Sequence, residues 1–322
     1  MQSGHFIDEM AAGTVGGVTG MILVFPLDTV KCRLQTDTHY KGMTDVMRTM
    51  VKTEGATSLY RGLLSPVAGF GLLYAMSFSA YGAGGKFFRS RAADAAVVAD
   101  DDKISSAADG GSSAACQLMV GEMTASGAFA GAVQAPVRQV FERVKAVMQV
   151  RHSAAGQSPY RWSGDCLVQL VRSEGWKMGL FRGLSSTMAR EVPQFAVYYP
   201  AYELAKRALL PAGQSPRDAH WGYNLAAGAI AGVVQWLPPI YSIDVIKTRM
   251  TTAPPGMYNS IADCVRKTYR AEGAGAFFRG LGPSLVRAAP LHGIVFAGYE
   301  LTMGELTRRR EEAAHQQRVL ML

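Results

Sequence analysis

The stretch Pro26-Leu27-Asp28-Thr29-Val30-Lys31-Cys32-Arg33-Leu34-Gln35 decides the reading of this chain, because two later stretches repeat its pattern. Residues 142–149 run Glu-Arg-Val-Lys-Ala-Val-Met-Gln, and residues 244–250 run Asp-Val-Ile-Lys-Thr-Arg-Met. Each places a base three residues after an acid: Asp28 and Lys31, Glu142 and Lys145, Asp244 and Lys247. One such tetrad is an ordinary helical surface pair. Three in the same order mark an internal repeat, the more so because glycines four apart precede each one (Gly13/Gly17, Gly127/Gly131, Gly228/Gly232). A second mark follows each tetrad: Glu54-Gly55 with Tyr60-Arg61-Gly62, Glu174-Gly175 with Phe181-Arg182-Gly183, and Glu272-Gly273 with Phe278-Arg279-Gly280.

The repeats divide the chain into residues 1–91, 118–212 and 213–310, with a C-terminal tail over 311–322. Residues 92–117 are rich in Ala, Ser, Gly and Asp and include Asp100-Asp101-Asp102. They have little apolar surface to bury, so the reading is a flexible low-complexity loop between the first two repeats.

Between the marks lie stretches free of Asp, Glu, Lys and Arg: residues 10–27, 63–85, 123–137, 192–202, 219–243 and 288–299. Several are shorter than the ~20 residues that cross a bilayer. Extended through the neighbouring charged turns each is long enough, and those charges must then face protein or water. The paired glycines would let the odd-numbered helices approach their neighbours closely.

Composition agrees. Hydrophobic residues make up 48% and charged residues 18% of the 322, against about 25% charged in soluble domains. The mean hydropathy is only +0.06, so the helices must have wet faces. The net charge of +8 is spread among acids without a basic–aromatic cluster, so nucleic acid is not an expected partner, and an anionic lipid surface fits the basic balance equally well. Cys32, Cys116, Cys166 and Cys264 are widely spaced, with neither a CxxC nor a histidine at ligand spacing, which argues against a disulfide framework or a zinc site. Residues 1–10 carry Asp8 and Glu9 and no basic run, so targeting information is expected to be internal. No nucleotide-binding glycine loop or metal-spaced cluster is evident, and the histidines have no evident nucleophile partner, so an enzyme is not expected.

The repeated marks resemble the mitochondrial carrier family, whose signature is Pro-x-acid-x-x-base-x-base followed by acid-Gly-x4-aromatic-base-Gly. The first repeat is complete, whereas Val140 and Ser242 stand at the expected prolines of the second and third. Pro136, Pro238 and Pro239 lie nearby, so a kink is either displaced or made by Ser242. The second repeat's later mark also has one extra residue. The resemblance implies an all-α membrane protein with six transmembrane helices in a pseudo-threefold barrel and short amphipathic helices on the matrix side. It also implies multi-pass residence in the mitochondrial inner membrane, alternating access, a monomer, no cofactor, and cardiolipin as a bound lipid. Asp28, Lys31, Glu142, Lys145, Asp244 and Lys247 would close a matrix gate, each carboxylate pairing with the next repeat's lysine. The cytosolic gate looks thin. Tyr202-Glu203 with Lys206 is complete, Tyr299-Glu300 has Met303 in place of the base, and Tyr81-Gly82 with Gly85 has neither charge.

The Arg-Gly marks act as a ruler. Eight residues beyond Arg61, Arg182 and Arg279 lie Gly69, Arg190 and Arg287, at matching depth on the even helices. Arg190 is followed by Glu191, Arg287 has no acid near it in sequence, and residues 66–81 carry no charge. The expected cavity thus offers a free cation, a plus–minus pair and an apolar wall with Phe70 and Leu73. Within the family the chain looks most like carnitine/acylcarnitine carriers, through Asp244-Val-Ile-Lys-Thr-Arg, Arg190-Glu191-Val192-Pro193 and Arg287-Ala-Ala-Pro290. That resemblance would give Arg287 the substrate carboxylate, Glu191 the trimethylammonium with Arg190 tuning it, and Phe70 and Leu73 the acyl chain. Tyr74, Tyr198 and Trp236 are aromatic candidates for the cation. Basic amino-acid (ornithine/arginine) carriers share Arg-Glu-Val-Pro, but an acid is expected where this chain has Leu73. Phe25 also replaces the histidine expected of the carnitine carriers. A proton-dissipating or non-exchanging carrier-like protein is the remaining alternative.

Overall fold

The computed structural model describes residues 2–99, 111–150, 159–210, 221–236 and 238–320. No strand occurs among them. The helices are α1 (Gln2–Thr36), α2 (Met43–Glu54), α3 (Leu64–Ala99), α4 (Gly111–Val150), α5 (Ser163–Phe181), α6 (Leu184–Leu209), α7 (Trp221–Val234), α8 (Pro238–Thr252), α9 (Ile261–Glu272) and α10 (Leu281–Leu320). Helices α3 and α4 enter the expected 92–117 loop from both ends, as its alanines favour. Residues 100–110, with the Asp100-Asp101-Asp102 run, lie outside the described residues. Of the expected 311–322 tail, residues up to Leu320 continue α10.

Packing closes a ring. Helix α1 lies against α3 and α10, α3 against α4, α4 against α6, α6 against α7, and α7 against α10. At one end α1, α4 and α8 also touch one another, so the odd-numbered spans converge there. Residues Ala12–Thr36 and Ala56–Arg91 are long and apolar enough to cross a membrane, and Ala226–Val234 with Pro239–Thr252, bent by 70° at the break, is so only when the two are taken together. The spans in α4, α6 and α10 are less apolar because they carry Arg138, Glu142, Lys145, Arg190, Glu191 and Arg287.

The prolines account for the bend. Pro26 and Pro136 sit inside α1 and α4, which continue through them. In the third repeat Pro238-Pro239 removes two consecutive backbone donors, and the last turn of α7 tightens, with the Trp236 amide bonded to the Val233 carbonyl at 3.0 Å. The break therefore falls ahead of Ser242, which resolves the sequence alternative in favour of a displaced kink.

The repeated glycines after the acid and after the arginine also have a physical reason. Gly55, Gly175 and Gly273 have φ of 82°, 75° and 75°, while Gly62, Gly183 and Gly280 have φ of 86°, 83° and 82°. Both turns of every repeat need the left-handed region that side chains disfavour. The extra residue of the second repeat is absorbed here. The first and third repeats make 3-10 turns over Ala56–Tyr60 and Ala274–Phe278, whereas the second stays helical across a kink at Gly175.

Helices α2 and α5 dock through small apolar clusters. Val30 and Leu34 of α1 meet Val46 and Met50 of α2, and Val144, Val147 and Met148 of α4 meet Cys166 and Leu170 of α5. The expected glycine contacts hold best between α4 and α6, where a Cβ on Gly131 would fall 2.7 Å from the Glu191 carbonyl oxygen. Gly17 instead lies under the Phe70 ring, and Gly13 and Gly228 face open space.

Candidate functional site

Where α1, α4 and α8 converge, the three tetrads pair across repeats. Lys145 Nζ lies 2.6 Å from Asp28 Oδ2, Lys31 Nζ lies 2.8 Å from Asp244 Oδ2, and Lys247 pairs with Glu142. The expected ring of carboxylate-to-next-lysine contacts is therefore present as geometry. Gln35 braces one corner, donating to Asp244 Oδ2 at 3.1 Å and to the Tyr241 hydroxyl at 3.2 Å. Gln149 donates to Thr29 Oγ1 at 3.0 Å.

Below this ring lies a second threefold layer that sequence reading missed. Arg33 pairs with Glu54, Arg143 with Glu174, and Arg249 with Glu272. Arg61, Arg182 and Arg279 of the aromatic-Arg-Gly marks approach the same three glutamates at 2.6, 3.3 and 3.3 Å. The first arginine of each set also donates to a carbonyl on the next odd span. Arg33 bonds Gln149 O at 3.0 Å, Arg143 bonds Thr251 O at 2.7 Å, and Arg249 bonds Gln35 O at 2.8 Å. Arg33 and Arg249 were visible as the second base of the signature. Arg143 was hidden, since Val147 takes the matching position and the arginine moves one turn back.

Above the ring the structure corrects the expected cavity. Arg287 is not a free cation: its Nε lies 3.1 Å from Asp28 Oδ1. Arg190 pairs with Glu191 as expected and also reaches Asp244 at 3.3 Å and Glu142 at 3.9 Å. Glu191 is fully buried, and Arg138 and Lys247 lie within 3.1 and 3.9 Å of it, so it offers no open carboxylate. The cause is Arg138 of α4, one turn before Glu142, a charge with no counterpart in the other two repeats.

The indole of Trp236 sits at the centre of the cations. Lys31 Nζ, the Arg190 guanidinium and the Arg287 guanidinium lie 4.4, 5.4 and 5.8 Å from its centroid. The α7–α8 break places the ring there. Four carboxylates (Asp28, Glu142, Glu191, Asp244) thus face six cations (Lys31, Arg138, Lys145, Arg190, Lys247, Arg287), a surplus of two positive charges.

The α3 side is apolar, as expected, but its three named residues differ in access. Gly69 is covered by the Phe141 ring, which occupies the space where a side chain at this depth would lie. Leu73 is buried. Phe70 stacks against Tyr74 at 4.4 Å, and Tyr74 continues to Phe78 at 6.3 Å. On α6, Phe195, Tyr198 and Tyr202 form a second aromatic series, and Tyr81 of α3 stacks on Tyr199 at 3.8 Å.

Toward the other end, Glu203 pairs with Arg207 on its own helix at 3.1 Å rather than with Lys206. The Glu300 side chain lies outside the described residues. Among the described residues, Glu203 has no ion pair to another helix.

Ionised side chains in hydrocarbon are costly unless paired, and here their pairing joins the three repeats at one end of a helix ring. Such a ring belongs to the class of membrane solute carriers. The family model described as "mitochondrial carrier protein" matches residues 2–92, 117–212 and 217–310. The chain is 32% identical over 303 residues to the mitochondrial carnitine/acylcarnitine carrier protein of Mus musculus, covering 89% of this chain and 91% of that one. It is 33% identical over 299 residues to the mitochondrial basic amino acids transporter of Bos taurus, covering 90% and 89%. The chain belongs to the mitochondrial carrier family. It is an all-α, multi-pass protein of the mitochondrial inner membrane, a transporter and not an enzyme.

Proposed function

We propose that this carrier exchanges carnitine for acylcarnitine by alternating access. The observation that carries the reading is the charge balance above the ring: two surplus cations beside an acid-free, aromatic α3 face. The surplus draws a carboxylate. Arg287 is its partner, held over Trp236 and able to exchange Asp28 for substrate, while Arg190 supports from α6. A trimethylammonium has no N–H to donate and accepts an aromatic face readily. Tyr74 and Tyr198 provide that face on arrival, and Glu191 becomes the deeper counter-charge once its own cations yield. The acyl chain runs along Phe70 toward Phe78, with Leu73 as packing behind them.

The ring of Asp28, Lys31, Glu142, Lys145, Asp244 and Lys247 is proposed as the matrix gate, a reading supported by its three ion pairs between repeats. Glu203, Lys206 and Glu300 constitute the weaker cytosolic gate. An exposed pair contributes only ~0–1 kcal/mol and pairs as buried as these contribute more, so a three-pair gate can hold and still yield when substrate binding offsets its loss. Cardiolipin is the bound lipid, and the working unit is a monomer.

Basic amino-acid exchange is the second reading, favoured by the Arg190–Glu191 pair and by the bovine relative. The test is radiolabelled exchange in cardiolipin-containing liposomes loaded with carnitine or ornithine. Carnitine, acylcarnitine, ornithine and arginine are offered outside. Uptake of carnitine and acylcarnitine against internal carnitine supports the proposal. Uptake restricted to ornithine or arginine replaces it with the second reading. Membrane-potential loss without exchange marks a proton-dissipating carrier.

A further inference from the structure

Arg138 stands between two carboxylates that belong to different functions. Its Nε lies 3.1 Å from Glu191 Oε2 on α6, and its NH1 lies 3.5 Å from Glu142 Oε1, one turn along α4. Glu142 is the partner of Lys247 in the ring. Lys247 in turn reaches toward Glu191 at 3.9 Å, so two cations and two carboxylates form a four-membered exchange group. Of the cations on Glu191, Arg138 is the accessible one, with 23% of its side chain exposed against 9% for Arg190 and 7% for Lys247. Its guanidinium also rests 5.9 Å from the Phe195 ring centroid, and NH2 donates to Gln134 Oε1 at 3.1 Å. Those contacts leave the head able to swing between the two acids without losing every partner. The arrangement is confined to the second repeat, because the matching positions four before Asp28 and Asp244 are Val24 and Ile240.

We infer that Arg138 couples substrate binding to opening of the Glu142–Lys247 corner of the ring. A substrate cation arriving at Glu191 displaces the exposed Arg138 first. The nearest acid left to the displaced guanidinium is Glu142. There it competes with Lys247, which can turn to Glu191 alongside the substrate. One incoming positive charge is thus converted into a weakened gate contact by moving a fixed cation one helical turn. A ligand shifts a two-state equilibrium only through contacts that differ between the states, and this exchange of partners supplies such a difference. Arg138 acts as a positioning residue, and its role rests on the proposed reading that the substrate carries a cationic head.

The test compares wild type, Arg138→Met and Arg138→Lys in the liposome exchange assay, reading maximal rate and half-saturation concentration separately. Arg138→Met leaves Glu191 better able to receive a cation but nothing to compete with Lys247. Its maximal rate should fall about tenfold while half-saturation stays within about twofold or drops. Arg138→Lys keeps a mobile charge and should recover at least half of the wild-type rate. Stabilisation of the purified proteins by carnitine and by arginine, read as a melting shift, supplies the binding comparison if Arg138→Met transports too slowly to measure. Wild-type exchange of a cation-bearing substrate with an unchanged maximal rate in Arg138→Met overturns the coupling alone, as does a raised half-saturation at unchanged rate. A wild type that moves neither carnitine nor a basic amino acid overturns the substrate reading, and the coupling with it.

Discussion

Arg287 meets a carboxylate on one side and an indole face on the other, and both contacts use the planar guanidinium. Lysine has neither the fork nor the stacking plane. Arg287→Ala should cut uptake of a carboxylate-bearing substrate at least about thirtyfold, with the purified protein still folded by circular dichroism. Arg287→Lys should recover little of it. Unchanged uptake in the alanine variant removes Arg287 from the substrate site. Asp28 allows a second comparison at this scale. Among the described residues it is the carboxylate paired with Lys145 and with Arg287, whereas the cations around Glu142 keep Glu191 as a second acid. Asp28→Asn should therefore destabilise the detergent-solubilised protein by about 1–3 kcal/mol, and Glu142→Gln by less, read as melting temperatures. Equal losses would mean that Glu191 does not back up Glu142. The ring residues themselves were legible in sequence because three copies cannot share a spacing by accident. Arg138 was not, since a lone charge four residues before an acid has no counterpart in the other repeats to mark it.

The spans and the short helices differ in how they are held, and each kind invites its own test. Helix α6 passes so close to α4 that Gly131 has no room for a side chain, whereas Gly228 faces open space. Gly131→Val should lower the folded yield sharply, while Gly228→Ala should be neutral or stabilising by up to ~1 kcal/mol through helix propensity. Helix α9 is tied to α8 by charge. The Arg249 guanidinium donating to Glu272 holds that carboxyl below its ordinary value. A carboxylate depressed in the folded state stabilises above its unfolded pKa, and that contribution fades as pH falls through the depressed value. Protection factors across residues 261–272, taken relative to the intrinsic amide exchange rate at each pH, should accordingly fall in acid in the wild type and much less in Glu272→Gln. Equal acid sensitivity in the two would assign the effect elsewhere. The order of these elements could be read from the sequence, because apolar stretches and paired turn glycines repeat. The site of the α7–α8 break could be narrowed only to two positions, since Pro238-Pro239 and Ser242 both disturb a helix.

At the scale of the whole molecule, the sequence showed which residues carry charge but not how the charges divide among themselves. Counting acids and bases repeat by repeat left Arg287 free, and only the convergence of α1, α4 and α8 brings Asp28 within its reach. The same convergence seals Glu191, which adjacency to Arg190 alone could not show. Among the described residues the two ends differ: a doubly layered ionic floor at one, and at the other Glu203 engaged with its own helix and an exposed Arg89–Glu122 pair between α3 and α4 at 3.8 Å. The position of Trp236 gives this asymmetry an optical consequence. Trp236 is 6% exposed, against 58% for Trp162 and 61% for Trp176. Its excited-state dipole lies in the field of three cations drawn from α1, α6 and α10, so its emission colour depends on where those charges sit. A solute that pulls Arg287 or Arg190 away, or adds an anion beside them, changes that field without touching the distant exposed indoles. The protein thus carries its own fluorophore at the centre of its ionic cluster, and a variant retaining Trp236 as its sole tryptophan would report rearrangement of those charges in real time, with no attached dye.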